Sequence, residues 1–230
     1  MNVLLFKLLN EKYICTLSLD MSKKGIFYVL FFVLLAVGFY LASSYFIPGF
    51  NDRKLEPISK VGPFNFTDQD GKPVTNKDVL GKVYITEYFF TTCPGICPMM
   101  NENMKQVYEK YKGNPDFLIL SHTCDPKTDS AAKLKRYADS MGVDTKQWIF
   151  LTGRKDSLYN MARLSYTIDD PANNLTNIED DFLHTQFWAL VDRKGNVLKI
   201  YDGLKQKEIN RLIKDIKKEL EEKPQPTAKL

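Results

Sequence analysis

Lys82-Val-Tyr-Ile-Thr-Glu-Tyr-Phe-Phe90, followed at once by Thr91-Thr-Cys93-Pro-Gly-Ile-Cys97-Pro98, is the stretch on which the reading of this chain turns. The run from Lys82 to Phe90 is almost continuously apolar or β-branched, the pattern of a strand covered on both faces. Proline at position 98 is tolerated in the first turn of a helix, where its missing N–H would have no partner anyway. A buried strand that turns directly into a helix, with two cysteines at the turn, is therefore predicted. Residues 116–121 (Asp-Phe-Leu-Ile-Leu-Ser) and 148–152 (Trp-Ile-Phe-Leu-Thr) are two more such runs, and helical patterns follow the three strands over 97–111, 128–141 and 155–166. Strand and helix in alternation imply a parallel sheet with crossovers.

The flanks read differently. Residues 64–75 alternate into Asp70-Gly71, a strong hairpin signal. Residues 187–192 and 197–201 flank Arg193-Lys-Gly-Asn196 as an antiparallel hairpin, and Ile209, Leu212, Ile213, Ile216 and Leu220 lie at helical spacing in a closing helix. Its Lys and Glu residues read as a solvated face. The expected fold class is α/β: a mixed sheet with helices on both faces, one domain over residues 63–223 with ample core. A connector over 48–62, rich in breakers such as Pro48, Gly49, Pro57 and Gly62, precedes it, and a tail over 224–230 follows.

The 230 residues are 44% hydrophobic and 26% charged, with 12 Gly and 11 Pro, which excludes disordered, collagen-like and disulfide-scaffold classes. Net charge is 32 − 28 = +4. Four Lys against Glu11 and Asp20 fall in residues 1–24, leaving +2 for the body, so no nucleic-acid footprint is expected. No repeat of solenoid or propeller length is visible.

Residues 25–47, Gly-Ile-Phe-Tyr-Val-Leu-Phe-Phe-Val-Leu-Leu-Ala-Val-Gly-Phe-Tyr-Leu-Ala-Ser-Ser-Tyr-Phe-Ile, carry no charge and are apolar all round. About 20 residues suffice to cross a bilayer, so this is read as an uncleaved transmembrane anchor. Ala42-Ser43-Ser44 resembles a signal-peptidase site only loosely. Lys12, Lys23 and Lys24 before the span balance Arg53, Lys54 and Lys60 after it, but Lys23 and Lys24 abut the helix. That places residues 1–24 in the cytoplasm and the large domain in the periplasm of a bacterial inner membrane. Residues 1–20 resemble neither a transit peptide nor a signal region, which suggests Met21 as an alternative start. Cys15 lacks the small neighbours of a lipoprotein site and reads as incidental.

Cys93 and Cys97 span the strand-to-helix turn, close enough either to bridge or to chelate one ion. The helix start favours a thiolate at Cys97. The carboxyl ends of parallel strands are also where α/β sheets place their sites. Asp125-Pro126 arrives at the same sheet edge after the next strand, where it also reads as a helix-start turn. His122 and Cys124 alternate onto one face and read as core residues. His184, in Asp180-Asp-Phe-Leu-His-Thr-Gln-Phe, precedes a strand expected to lie beside the one that carries the cysteines.

Tyr88-Phe-Phe-Thr-Thr-Cys-Pro-Gly-Ile-Cys-Pro98, then Asp125-Pro126 with Asp129, then Phe182-Leu-His184, all behind a single N-terminal span, resemble the Sco/SenC family of membrane-anchored copper proteins in cytochrome c oxidase assembly. The resemblance covers roughly residues 60–220 and implies a thioredoxin-like fold. It also implies one copper ion, Cu(I) or Cu(II), held by Cys93, Cys97 and His184, with Asp125 in support and a copper-binding subunit of cytochrome c oxidase as recipient. Cys124 departs from the family, where an aliphatic residue is expected, and raises the prospect of a third reactive thiol. Two thiolates and an imidazole are soft ligands suited to Cu(I), and three donors leave coordination open for transfer. Zinc would want a fourth protein ligand in a closed site. The competing reading is a thiol-disulfide oxidoreductase, with Cys93 attacking and Cys97 resolving. Dedicated enzymes of that kind use Cys-x2-Cys and need no His184. A peroxidase would want a single low-pKa cysteine and is the weakest reading.

Overall fold

The computed structural model describes residues 22–46, 55–173, 177, 178 and 180–222, so Cys15, most of the N-terminal segment, residues 47–54 of the span end and connector, and the tail lie outside the described residues. Two compact units divide at Lys54 and Leu55. In the first, helix α1 (Lys23–Phe46) is long and apolar enough to cross a membrane. Its 24 residues correspond to about 36 Å at 1.5 Å per residue.

The second unit runs β1 (Ser59–Lys60), β2 (Asn65–Asp68), β3 (Pro73–Thr75), α2 (Asn76–Val79), β4 (Val83–Phe89), α3 (Cys97–Tyr111), β5 (Phe117–Thr123), α4 (Ala131–Met141), β6 (Trp148–Thr152), α5 (Lys155–Asn160), a π turn (Met161–Ser165), β7 (Phe187–Val191), β8 (Asn196–Asp202) and α6 (Gln206–Glu221). The strands form one sheet in the order β1-β8-β7-β4-β5-β6-β2-β3. β4, β5 and β6 are parallel, from Val83 opposite Phe117 through Phe89 opposite Thr123 and from Ile119 opposite Trp148. The two expected hairpins, β2–β3 and β7–β8, are antiparallel, and β7 lies antiparallel to β4.

Every residue of β4 and β5 is buried, so alternate residues feed two apolar layers. Val83, Ile85 and Phe89 join Met100, Met104 and Val107 of α3, Leu134 of α4 and Ile209, Leu212 and Ile216 of α6. Tyr84 and Tyr88 join Val79 of α2, Leu158 and Tyr159 of α5 and Met161 of the π turn on the other face. Helices therefore cover both faces.

Glu87 and His122 are fully buried on opposite faces of the sheet. Glu87 accepts from Ser121 Oγ at 2.6 Å, and Ser121 Oγ in turn accepts from Trp148 Nε1 at 2.7 Å. Burial above all, only partly offset by Ser121 and Trp188, pushes the Glu87 carboxyl up to about 7. On the other face His122 stacks on Tyr88 with ring centroids 5.0 Å apart and shares a 3.0 Å hydrogen bond between Nδ1 and Thr86 Oγ1. Burial drives its imidazole down to about 3, so His122 is a neutral core residue.

The two groups have opposite linkage. Glu87 stays protonated in the fold above its ordinary 4.5, so its contribution is fully present below that value and is lost as pH rises through 7. His122 stays neutral below its ordinary 6.5, so its contribution is fully present above that value and is lost as pH falls toward 3. Between 4.5 and 6.5 the slopes oppose. Urea unfolding of the full chain in detergent should show Glu87→Gln losing stability on acidification more steeply than wild type, by about 1.4 kcal/mol per pH unit. His122→Phe should tilt the other way by a similar amount. Parallel pH profiles for all three proteins would refute the assignment.

Candidate metal centre

The end of β4 is extended past the sheet by a buried carboxylate. After Phe89, the Cys124 N–H donates to the Phe89 carbonyl at 2.7 Å, continuing the β4–β5 ladder. Asp129, fully buried at the start of the segment entering α4, then accepts from Thr91 N at 3.0 Å, from Thr91 Oγ1, and from Thr123 Oγ1 at 2.7 Å. Lys133 Nζ stands 3.4 Å from it. The chain leading into Cys93 is thus fastened to the end of β5. Asp125, expected as the supporting acid, is half-buried and turns inward on its own loop. Its carboxylate accepts from Thr128 N at 3.3 Å and its carbonyl from Thr128 and Asp129 N–H, which start the turn. The acid that touches the cysteine loop is Asp129.

Cys93 N–H donates to the Phe90 carbonyl at 3.2 Å, folding the chain back toward the strand. Helix α3 begins with Pro98 in its first turn and no side-chain cap. The unpaired N–H groups at such a start need acceptors. The Cys93 sulfur faces one of them, the Cys97 N–H. Burial alone would push its thiol up; the Cys97 S–H and the N–H groups of Cys97, Gly95 and Ile96, all directed at the sulfur, outweigh burial and bring the thiol below its ordinary value.

Cys97 behaves oppositely, which corrects the expectation of a thiolate there. Burial, then its donation to Cys93, then the negative charges of Cys93 and Glu87 push its thiol up to about 12, against a smaller downward pull from the Phe90 backbone. Both sulfurs belong to the apolar layer of α3, but Cys93 receives the neighbouring N–H groups whereas Cys97 is the donor of the pair. Cys93 is also the more accessible of the two, at 8% against 4%. Both thiols are free, as is Cys124. Cys124 lies in the layer on the opposite face, and burial there raises its thiol well above the ordinary range.

His184 lies on an exposed stretch before β7, and β7 is indeed the strand next to β4. Its neighbours are held: Leu183 is buried, and Thr185 Oγ1 donates to the Ile168 carbonyl at 2.7 Å. Phe182 stands edge-on to Phe90 with centroids 5.2 Å apart, which sets the histidine loop against the residue that receives Cys93 N–H. Among the described residues no group of three or more His, Cys, Asp or Glu is assembled for a metal ion. The structure therefore joins Cys93 to Cys97 and leaves His184 exposed on the adjacent loop. Two sulfur donors, one with its thiol lowered by neighbouring N–H groups, fit a soft cation better than a hard one. Asp129, Phe90 and Phe182 were not singled out by sequence as positioning residues. Asp129 carried a signal, since it falls four residues after Asp125 in the motif.

The family model SCO1/SenC matches residues 52–221. The chain belongs to the SCO1/SenC family. It is 33% identical over 167 residues to a SCO1 protein homolog of Bacillus subtilis (strain 168), covering 70% of this chain and 84% of that protein. The structure is similar to that of BsSco, described as a member of the Sco family of cytochrome c oxidase assembly proteins with a disulfide switch, at TM-score 0.62 and 30% identity over 74% of this chain and 100% of that one. It is also similar to Arabidopsis thaliana ScoI with copper bound, at TM-score 0.53 and 26% identity over 70% of this chain and 99% of that one. The mixed sheet is the thioredoxin-like Sco fold.

The thiol asymmetry in this SCO1/SenC chain has a direct readout. When the reduced protein is treated with iodoacetamide between pH 6 and 8, peptide mass mapping should find Cys93 alkylated first, with Cys97 and Cys124 lagging. Labelling of Cys97 ahead of Cys93 would invert the assignment.

Proposed function

We propose that this protein is a membrane-anchored copper carrier that binds one copper ion through Cys93, Cys97 and His184 and delivers it to a copper site of cytochrome c oxidase, or prepares the thiols of that site. The observation that carries the reading is the Cys93–Cys97 pair at the start of α3, set beside the His184 loop by the Phe90–Phe182 contact. Membership of a family whose relatives include cytochrome c oxidase assembly proteins and copper-bound structures supports it. Copper is cargo here, and two sulfurs with one imidazole leave coordination open for a recipient's ligand.

Binding needs both sulfurs deprotonated, so the ion must displace the proton that Cys97 holds up to about pH 12. Apparent Cu(I) affinity, titrated against a competing chelator on the full chain in detergent, should therefore rise about tenfold per pH unit from 6 to 8 if one proton is displaced. His184→Ala should weaken it at least tenfold and change the Cu(II) spectrum, with the thermal midpoint preserved because the side chain is exposed. Unchanged copper affinity combined with lost thiol exchange would sink the carrier reading.

That outcome would favour the second reading, thiol-disulfide exchange. Its specific support is the split between a lowered Cys93 thiol and a raised Cys97 thiol, the division of labour of an attacking and a resolving cysteine. The two readings share the reduced dithiol and can alternate in one protein.

We place the protein in a bacterial inner membrane, spanned by residues 25–47, with its N-terminus cytoplasmic and the soluble domain periplasmic. Lys23 and Lys24 directly before an uncharged span support this orientation. Protease added to intact spheroplasts should digest the soluble domain, and its protection would reject the orientation.

A further inference from the structure

Arg163 is charged, yet only 2% exposed. Its Nη1 and Nη2 donate to the two oxygens of Asp181 at 2.6 and 3.0 Å, and its Nε donates to Asp169 Oδ2 at 2.7 Å. A buried cluster of this kind is weak evidence for stability, because desolvation offsets most of the attraction; where such clusters earn their place is in fixing one arrangement over others. The arrangement fixed here concerns His184. Asp181 lies three residues before it and Thr185 one residue after it, and both are tied to the same turn, the first to Arg163 and the second to the Ile168 carbonyl.

That turn is itself unusual. Arg163 sits in the five-residue π turn Met161–Ser165, and Thr167 just beyond it has φ +54°. A β-branched residue in the left-handed region is strained and persists only where its surroundings hold it. The Arg163–Asp169 contact closes across Thr167. The turn is also referenced to the cysteine loop. The Arg163 guanidinium lies over the Tyr159 ring at 5.5 Å, Tyr159 Oη donates to the Cys124 carbonyl at 2.8 Å, and Cys124 N–H donates to Phe89, the last residue of β4 before the cysteine loop.

We infer that Arg163, acting through Asp181 and Asp169, is the positioning residue that sets the His184 loop in register with the Cys93–Cys97 pair. The inference rests on His184 being a copper ligand. Arg163 does not touch the ion; it fixes the backbone on the N-terminal side of His184, while Thr185 fixes the other side. Planarity matters, because two parallel N–H donors to one carboxylate define an orientation that a single ammonium cannot.

The test is a double-mutant cycle on the full chain in detergent, titrating Cu(I) against a competing chelator and recording the Cu(II) electron paramagnetic resonance spectrum. Asp181→Asn should weaken Cu(I) affinity about tenfold and diminish the nitrogen hyperfine coupling, while Cys93 alkylation keeps its wild-type rate. In the His184→Ala background the same substitution should cause no further loss, which a merely structural role would not produce. Arg163→Lys, which keeps the charge and loses the fork, should behave like Asp181→Asn. If Asp181→Asn does not fold, Asp169→Asn decides, since it leaves the two-pronged contact intact; a loss of the same sign, about twofold to fivefold, supports the inference. Wild-type affinity and spectrum in any folded clamp variant, or an equal loss with and without His184, overturns it while leaving the carrier reading standing. Wild-type affinity in His184→Ala alone overturns both.

Discussion

The buried carboxylate of Asp129 holds the chemistry of this domain in place. Parallel pairing aligns β4 and β5 only as far as Phe89 and Thr123; beyond that point nothing in a sheet obliges the two chains to stay together. Asp129 supplies the obligation by receiving the Thr91 amide, the Thr91 hydroxyl and the Thr123 hydroxyl. Without it, three donors at the sheet edge would lose their partner in a place where burial makes an unpaired polar group costly. The direction in which Cys93 leaves the sheet, and hence where α3 can start, follows from that fastening.

Given the start of α3, the division between the two cysteines is forced. The Cys93 sulfur receives the Cys97 N–H of the first turn together with the N–H groups of Gly95 and Ile96 before it. Cys93 acquires the donors and Cys97 the deeper burial, with Glu87 near enough for its charge to bear on the thiol. The same asymmetry suits soft-metal binding and thiol exchange alike, because both draw on a sulfur whose thiol is lowered. The dithiol by itself therefore does not choose between the two.

How much of this was legible in the sequence follows from what kind of information each feature needs. The strands at 82–90 and 148–152, the hairpin at Asp70-Gly71 and the helix after Cys97 are encoded by local pattern and turn chemistry, and they stand where pattern places them. The cysteine and histidine positions were legible as motif. The thiolate assignment was read in reverse, because the dipole argument assigns the effect to the helix and only the three-dimensional path of the loop says which sulfur receives the amides. Asp125 and Asp129 differ by four positions, and burial alone separates the turn-former from the fastener. Arg163 with Asp181 and Asp169 had no local signature, since a π turn and a contact across 18 residues leave no periodicity to detect.

His184 is exposed while the residues on either side of it are anchored, and the dithiol beside its loop keeps a proton for an electrostatic reason. Deprotonating Cys97 would place a buried anion beside the Cys93 sulfur and within reach of the Glu87 carboxyl. Like charges at close range in a low-dielectric setting are costly, and the fold avoids that cost by leaving the proton on Cys97. The S–H of Cys97 donating to Cys93 is then the stable resting form of the pair, and the proton is the occupant that an incoming cation must replace. An imidazole kept outside, with the residues on either side anchored to one turn, is positioned without adding to the crowding. Of the two sulfurs, the one nearer the surface is also the one whose thiol is lowered.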